Sequence, residues 1–197
     1  MSDQQPLLLA SSSIYRKSLL AKLGFSFATC SPDIDETPLR GEDAEALVRR
    51  LAEQKAQAVR ARYPQHLIIA SDQVAVLGSQ ILGKPGNRDT AVEQLQACSG
   101  KVVTFFTSLC VLDARSGHSS VLVEPFEVGF RPLTAAEIRT YIKKEQPLDC
   151  AGSFKSEGLG ISLFDYMRGD DPNSLIGLPL IQLLKVLREH HGVNPLT

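Results

Sequence analysis

Neither sign of charge dominates this sequence: 21 Lys and Arg stand against 22 Asp and Glu, a formal net charge of -1. No overall field draws such a chain to nucleic acid or to anionic lipid, so neither is expected as a partner and any anion site must be local. Long apolar runs are missing too. The opening MSDQQPLLLA has no basic stretch and only a four-residue apolar run, so no signal peptide or membrane span is expected and the cytoplasm is the expected compartment. Cys30, Cys98, Cys110 and Cys150 form no C-x-x-C pair, which argues against disulfide and zinc frameworks and predicts reduced, buried or partly buried thiols. Histidine is equally scarce. His66, His118, His190 and His191 supply no network for acyl transfer, and no catalytic or metal role is expected of them.

What is present is an alternation of helical and strand-like segments without repeat or long linker. Its 197 residues suffice for one domain or for two small lobes around a cleft. Leu7 to Ala10 reads as a short buried strand. Ser11, Ser12 and Ser13 then supply caps for a helix with apolar face Leu19, Leu20 and Leu23, ended by Gly24. Phe25 to Thr29 alternates as a strand, and Asp43 caps a helix to about Arg62 that Tyr63 and Pro64 stop. Leu67 to Ala70 predicts a central strand, Val74 to Leu77 another, and Asn87 a helix toward Ala97. Val102 to Leu112 and Ser120 to Phe130, parted by Arg115-Ser116-Gly117, predict a hairpin and so a mixed sheet. Thr134 with Glu137 forms a capping box, and a last helix runs from about Pro179 to Glu189, beyond a Gly-rich stretch from Gly152 to Gly177.

The strand, serines and helix of LLLASSSIYRK set backbone N–H groups and hydroxyls at the positive end of a helix, with Arg16 beside them. That arrangement suits phosphate, and an ordinary serine cap with a solvated arginine fits it equally. Lys55 falls on the apolar face marked by Leu47, Val48, Leu51 and Val59. It either snorkels to the edge or turns its ammonium inward to meet a phosphate. Asp72 follows LIIAS, past the carboxyl end of a central strand, where open α/β sheets place their ligands. A carboxylate there can hold Mg²⁺ or take a proton from water; a turn-forming Asp is the structural alternative. The loop Asp33-Ile34-Asp35-Glu36 offers a second carboxylate to the same metal. Gly83-Lys84-Pro85 and Ser99-Gly100-Lys101 add cations, and neither is a P-loop. As a set, these groups suit metal-assisted attack on a phosphoanhydride.

In order along the chain, several elements resemble the Maf family of nucleoside triphosphate pyrophosphatases. They are Ser11, Ser13 and Arg16, then Asp33 and Glu36, Lys55 within Glu53-Gln54-Lys55-Ala56, Ser71-Asp72-Gln73, Gly83-Lys84-Pro85, Ser99-Gly100-Lys101, Ala151-Gly152 and Gly177-Leu178-Pro179-Leu180. The resemblance implies a Maf/ITPase-like α/β fold: an elongated, twisted mixed sheet flanked by helices, two lobes around a central cleft, and a single domain over residues 1–197, often as a homodimer. It also implies cleavage of the alpha-beta phosphoanhydride of a nucleoside triphosphate to the monophosphate and pyrophosphate, with Mg²⁺ or Mn²⁺. Carried over by position, Asp72 is the catalytic acid-base residue, Glu36 and Asp72 are the metal carboxylates, and Ser13, Arg16, Lys55 and Lys84 contact the triphosphate. Two departures stand out, Ile14 in place of the family's usual proline and Lys17 as the second basic residue. Without the proline the serine loop enters its helix less pre-organised.

Tyr15, Gln73 and Glu157 resemble the branch of that family acting on 7-methyl-GTP, as does the string from Cys150 to Gly158, although that branch commonly has tryptophan in place of Tyr15. The branch acting on dTTP and UTP typically has arginine, threonine and glutamine at the three positions. The chemistry agrees. One carboxylate accepts from both the ring N–H and the exocyclic amine of guanine, whereas uracil and thymine offer one such donor. Methylated guanine is cationic and is attracted to a tyrosine face. Packing of Tyr15 on Leu19 and a solvated Glu157 are the structural alternatives. Another nucleotide as substrate, or a nucleotide-binding regulator of cell division without turnover, are the other functional readings the resemblance leaves.

Overall fold

The structure, a computed structural model, describes residues 5–196, so the reading of the first four residues lies outside it. The chain forms two compact units. One is built from the residues up to Asp72, Thr107–Glu124 and the residues from Gly177 onward; the other from Gln73–Phe106 and Pro125–Ile176. Hydrogen bonding along the strands runs β2-β1-β3-β6-β4-β5, with β7 beside β6 and β8 beside β7. The pairing is mixed, as the alternation and the hairpin predict, and six α-helices accompany it among the described residues.

In the first unit β1 (Leu7–Ala10) lies parallel to both β2 (Phe27–Cys30) and β3 (Leu67–Ala70), and β3 pairs antiparallel with the end of β6 (Val102–Asp113). Every residue of β1 and β3 is buried, which is why both read as unbroken apolar runs. The edge strand β2 begins at Phe27 rather than Phe25, because it pairs with the four residues of β1 alone. Leu8, Ala52, Val59, Ile68 and Leu112 pack together with Cys30 and Cys110, each large side chain contributing roughly 1.5–3 kcal/mol of burial. Burial pushes the Cys110 thiol up to about 12, which leaves it inert, and no disulfide joins the four cysteines. Helix α1 (Ile14–Ala21) is capped by Ser13 and α2 (Ala44–Arg60) by Asp43, whose Oδ1 accepts from Ala46 N at 2.8 Å. Pro179 is the N-cap of the last helix, α6 (Leu180–His191), and not its first turn.

In the second unit β4 (Gln73–Leu77) turns through Gly78, at φ 63°, into the unanticipated β5 (Gln80–Leu82), a strand too short to show a pattern. Asn87 caps α3 (Arg88–Cys98), and β7 (Ser119–Phe130), which enters this unit at Pro125, leads into α4 (Ala135–Glu145) through the expected capping box of Thr134 and Glu137. The Gly-rich stretch is structured. It contains two 3₁₀ turns, the strand β8 (Phe164–Arg168) paired with β7, and the short helix α5 (Pro172–Ile176). Gly160 is required there, since a Cβ would stand 2.2 Å from the Lys155 carbonyl oxygen. Phe105, Phe130 and Phe164 meet Phe154 edge to face, with centroids 4.8 to 5.6 Å apart. Among the described residues no helix is long and apolar enough to cross a membrane.

Candidate functional site

The lysine on the apolar face of α2 turns inward. Its stem is buried with Leu51, Ala52, Ala56 and Val59, and its Nζ stands 2.5 Å from Asp72 Oδ1 and 2.8 Å from Glu36 Oε1. Of the two arms the Asp72 arm matters more. Both its side chains are about a tenth exposed or less, and removing one partner of such a pair costs about 3–5 kcal/mol. Glu36 has a side chain that is 59% exposed, so its arm is screened and worth about 0–1 kcal/mol.

Asp72 lies between β3 and β4, where the ladder breaks. Its N–H donates to Ser108 Oγ at 2.9 Å and its carbonyl accepts from Ser108 N at 2.8 Å, so β6 fixes the backbone and leaves the carboxylate to Lys55. Glu36 rides on a loop fastened to α2. Arg50 donates to the Thr37 carbonyl at 3.1 Å while gripping Glu42 through Nε and Nη2, and Asp35 accepts from Thr37 N at 2.9 Å. Lys55 and Arg50 belong to the same helix, so the element that presents the ammonium also holds the loop carrying Glu36.

Ser13 Oγ accepts from Arg16 N at 3.3 Å as the cap of α1, and Ser11 Oγ accepts from Ser13 N at 3.1 Å. Half-buried Arg16 spends its Nε on the Gly177 carbonyl at 2.8 Å, which fixes the guanidinium plane and turns the planar fork into an oriented donor for an anion. Burial lowers its pKa from the ordinary value, while Asp72 and then Glu36 oppose that shift; the group stays a cation. The same Gly177 carbonyl accepts from the buried Ser71 hydroxyl at 2.8 Å. Gly177 has φ 127°, which only glycine adopts readily. Tyr15 is half-buried in the first turn of α1, one residue before Arg16.

Thus the structure brings Asp72, Glu36, Lys55 and Arg16 together in the first unit, with Ser13 at the cap preceding Arg16. Gln73, Lys84 and Glu157 belong to the second. Gln73 directs its amide nitrogen to the carbonyls of Ser174 at 2.7 Å and Leu175 at 3.1 Å, so it holds α5. Lys84 is exposed between β5 and α3, and exposed Glu157 accepts from Ser156 Oγ at 3.4 Å. Sequence reasoning missed Ser108, Arg50 and the Gly177 carbonyl as positioning groups. Only the antiparallel register of β3 and β6 brings Ser108 to Asp72, 36 residues away.

Two carboxylate oxygens that converge on one ammonium mark a point where a cation is held, and that donor set fits Mg²⁺ or Mn²⁺. Magnesium commonly takes one or two carboxylates and completes its shell with water and substrate phosphate oxygens. Among the described residues no group of three or more His, Cys, Asp or Glu is placed to hold a metal.

The sequence pattern of the Maf-like protein family matches residues 6–190. A protein of Nitrosococcus oceani named 7-methyl-GTP pyrophosphatase is 56% identical over 183 residues, covering 93% of this chain and 92% of its own. One of Alcanivorax borkumensis with the same name is 57% identical over 188 residues, covering 95% of each chain.

Proposed function

The chain belongs to the Maf-like protein family, and from that premise we propose that it hydrolyses 7-methyl-GTP to 7-methyl-GMP and pyrophosphate. The reading is carried by the convergence of Asp72 and Glu36 on Lys55, in a chain 56 to 57% identical to two proteins of that name. Asp72 orients water and takes its proton as the water oxygen bonds to the α-phosphorus. The bond from that phosphorus to the bridging oxygen breaks, and its electron pair leaves with pyrophosphate. Glu36 and Asp72 would hold Mg²⁺ or Mn²⁺, which would supply charge neutralisation at the phosphates. Ser13, Arg16, Lys55 and Lys84 bind the triphosphate, and the fixed plane of Arg16 orients it. Tyr15 and Glu157 read the base, and Gln73 contributes by holding α5.

In this reading residues 1–197 form one pyrophosphatase domain that acts in the cytoplasm, a reducing compartment that suits four cysteines without a disulfide, and assembles as a homodimer. A panel of 7-methyl-GTP, GTP, dTTP and UTP with Mg²⁺ or Mn²⁺ tests it. The expected result is the highest kcat/KM for 7-methyl-GTP, with Glu157→Gln reducing its advantage over UTP by about tenfold or more, as loss of a charged hydrogen-bond acceptor implies. Preference for dTTP or UTP would retain the reaction and refute the base assignment. Absence of turnover on every substrate would leave a nucleotide-binding regulator.

A further inference from the structure

The ammonium of Lys55 occupies the point on which the two proposed metal carboxylates converge. Arg16 adds a second positive charge within electrostatic reach of both carboxylates, and its Nε is anchored to the Gly177 carbonyl. Two negative side chains therefore face two positive ones, and the cluster is balanced by the protein itself. Lys55 has little freedom to leave. Its side chain is 7% exposed, its stem lies in the apolar stripe of α2, and Asp72 is pinned through its backbone by Ser108. A bare dication entering here would meet two cations without any gain of negative charge. A dication carried on a triphosphate brings its own anion, which offsets the positive charge of Lys55 and Arg16.

We propose that Lys55 is the resident counter-ion of the Glu36 and Asp72 pair and excludes free divalent metal, so that metal enters only together with the triphosphate. The proposal rests on the reading of Glu36 and Asp72 as metal carboxylates, but its test needs neither turnover nor nucleotide. Free Mn²⁺ is measured by electron paramagnetic resonance during titration of the wild-type protein, Lys55→Met and Lys55→Gln, with circular dichroism and thermal melting confirming that each is folded. Removing a neighbouring like charge typically moves such an equilibrium by about one to three decades, so whichever lysine variant folds is expected to bind Mn²⁺ at least about tenfold more tightly than wild type. Adding Glu36→Gln to that variant should abolish the gain, placing the ion on the pair. Inorganic triphosphate should raise wild-type Mn²⁺ affinity toward that of the variant. Equal or weaker Mn²⁺ binding without Lys55, or a gain that survives Glu36→Gln, overturns the proposal. Failure of the pyrophosphatase reading would appear elsewhere, as absence of turnover in the substrate panel, whatever the Mn²⁺ titration gives.

Discussion

In the first unit Leu, Ile, Val and Ala on short parallel strands make the core, whereas in the second, three phenylalanines meet edge to face on Phe154. The buried polar groups differ in the same way. Of those of the second unit, Asp171 caps Asn173 and Ser174 donates back to the Asp171 carbonyl, both local bonds, and Ser153 reaches Gln94 on α3 in a bond between two neutral groups. In the first unit Lys55, Ser71, Asp72 and Ser108 join separate elements and leave charged groups facing one another. A local bond stabilises a turn. Bonds between distant segments hold unlike charges at a fixed separation, which is what transition-state stabilisation needs.

The largest effect that would break this contrast is catalytic. Asp72→Asn should lower kcat by about 10² to 10⁴-fold in steady-state assays, the range for a lost general base, while circular dichroism shows a folded protein because asparagine keeps a side-chain oxygen to accept from Lys55. Next comes packing. Phe154→Ala should destabilise the protein by about 3–5 kcal/mol in urea titration, against about 0.5–1.5 kcal/mol for Ile68→Val in the aliphatic core. Comparable losses for the two would dissolve the distinction between the cores. Thr134→Ala, removing the cap of α4, should cost about 1 kcal/mol in the same titration.

The smallest effect is a pH dependence shared by both units. Arg50, with the Leu39 N–H, holds Glu42 down to about 2, and the Thr134 backbone N–H, with Arg131, does the same for Glu137. Both folded values lie below the ordinary 4.5, so each carboxylate stabilises the fold above that value. That stability is lost as pH falls from about 4.5 toward 2. The Glu137 side chain is 42% exposed, so solvent screens its share, while the Glu42 side chain is 7% exposed in the grip of Arg50. Thermal melts across that window should show a shallower acid slope in Glu42→Gln and Glu137→Gln than in wild type.

The aliphatic unit was the more legible one. Continuous apolar runs at β1 and β3, and caps at Ser13 and Asp43, have local signals that burial on both faces and unsatisfied helix N–H groups dictate. Between Gly152 and Gly177 no such period exists. β8 is short and largely exposed, and the turns around it depend on Gly160 approaching Lys155 and on Phe154 finding its aromatic partners, contacts that only the tertiary fold creates. The site divides along the same line. Lys55 announced itself as a charge on an apolar stripe and Asp72 as a carboxylate past a buried strand, but spacing left open whether Lys55 snorkels or turns inward, and the structure turns it inward onto Asp72 and Glu36. Ser108 and the Gly177 carbonyl carried no signal, because one depends on strand register and the other is backbone.

The proposed work of this cluster is phosphoanhydride cleavage between the α- and β-phosphates of a methylated guanine nucleotide. Purified protein incubated with Mg²⁺ and 7-methyl-GTP, with products separated by ion exchange and identified by mass, tests it most directly. Equimolar 7-methyl-GMP and pyrophosphate are expected, released about 10² to 10⁴-fold more slowly by Asp72→Asn. Release of 7-methyl-GDP and inorganic phosphate, or the same products at an unchanged rate from Asp72→Asn, would contradict it.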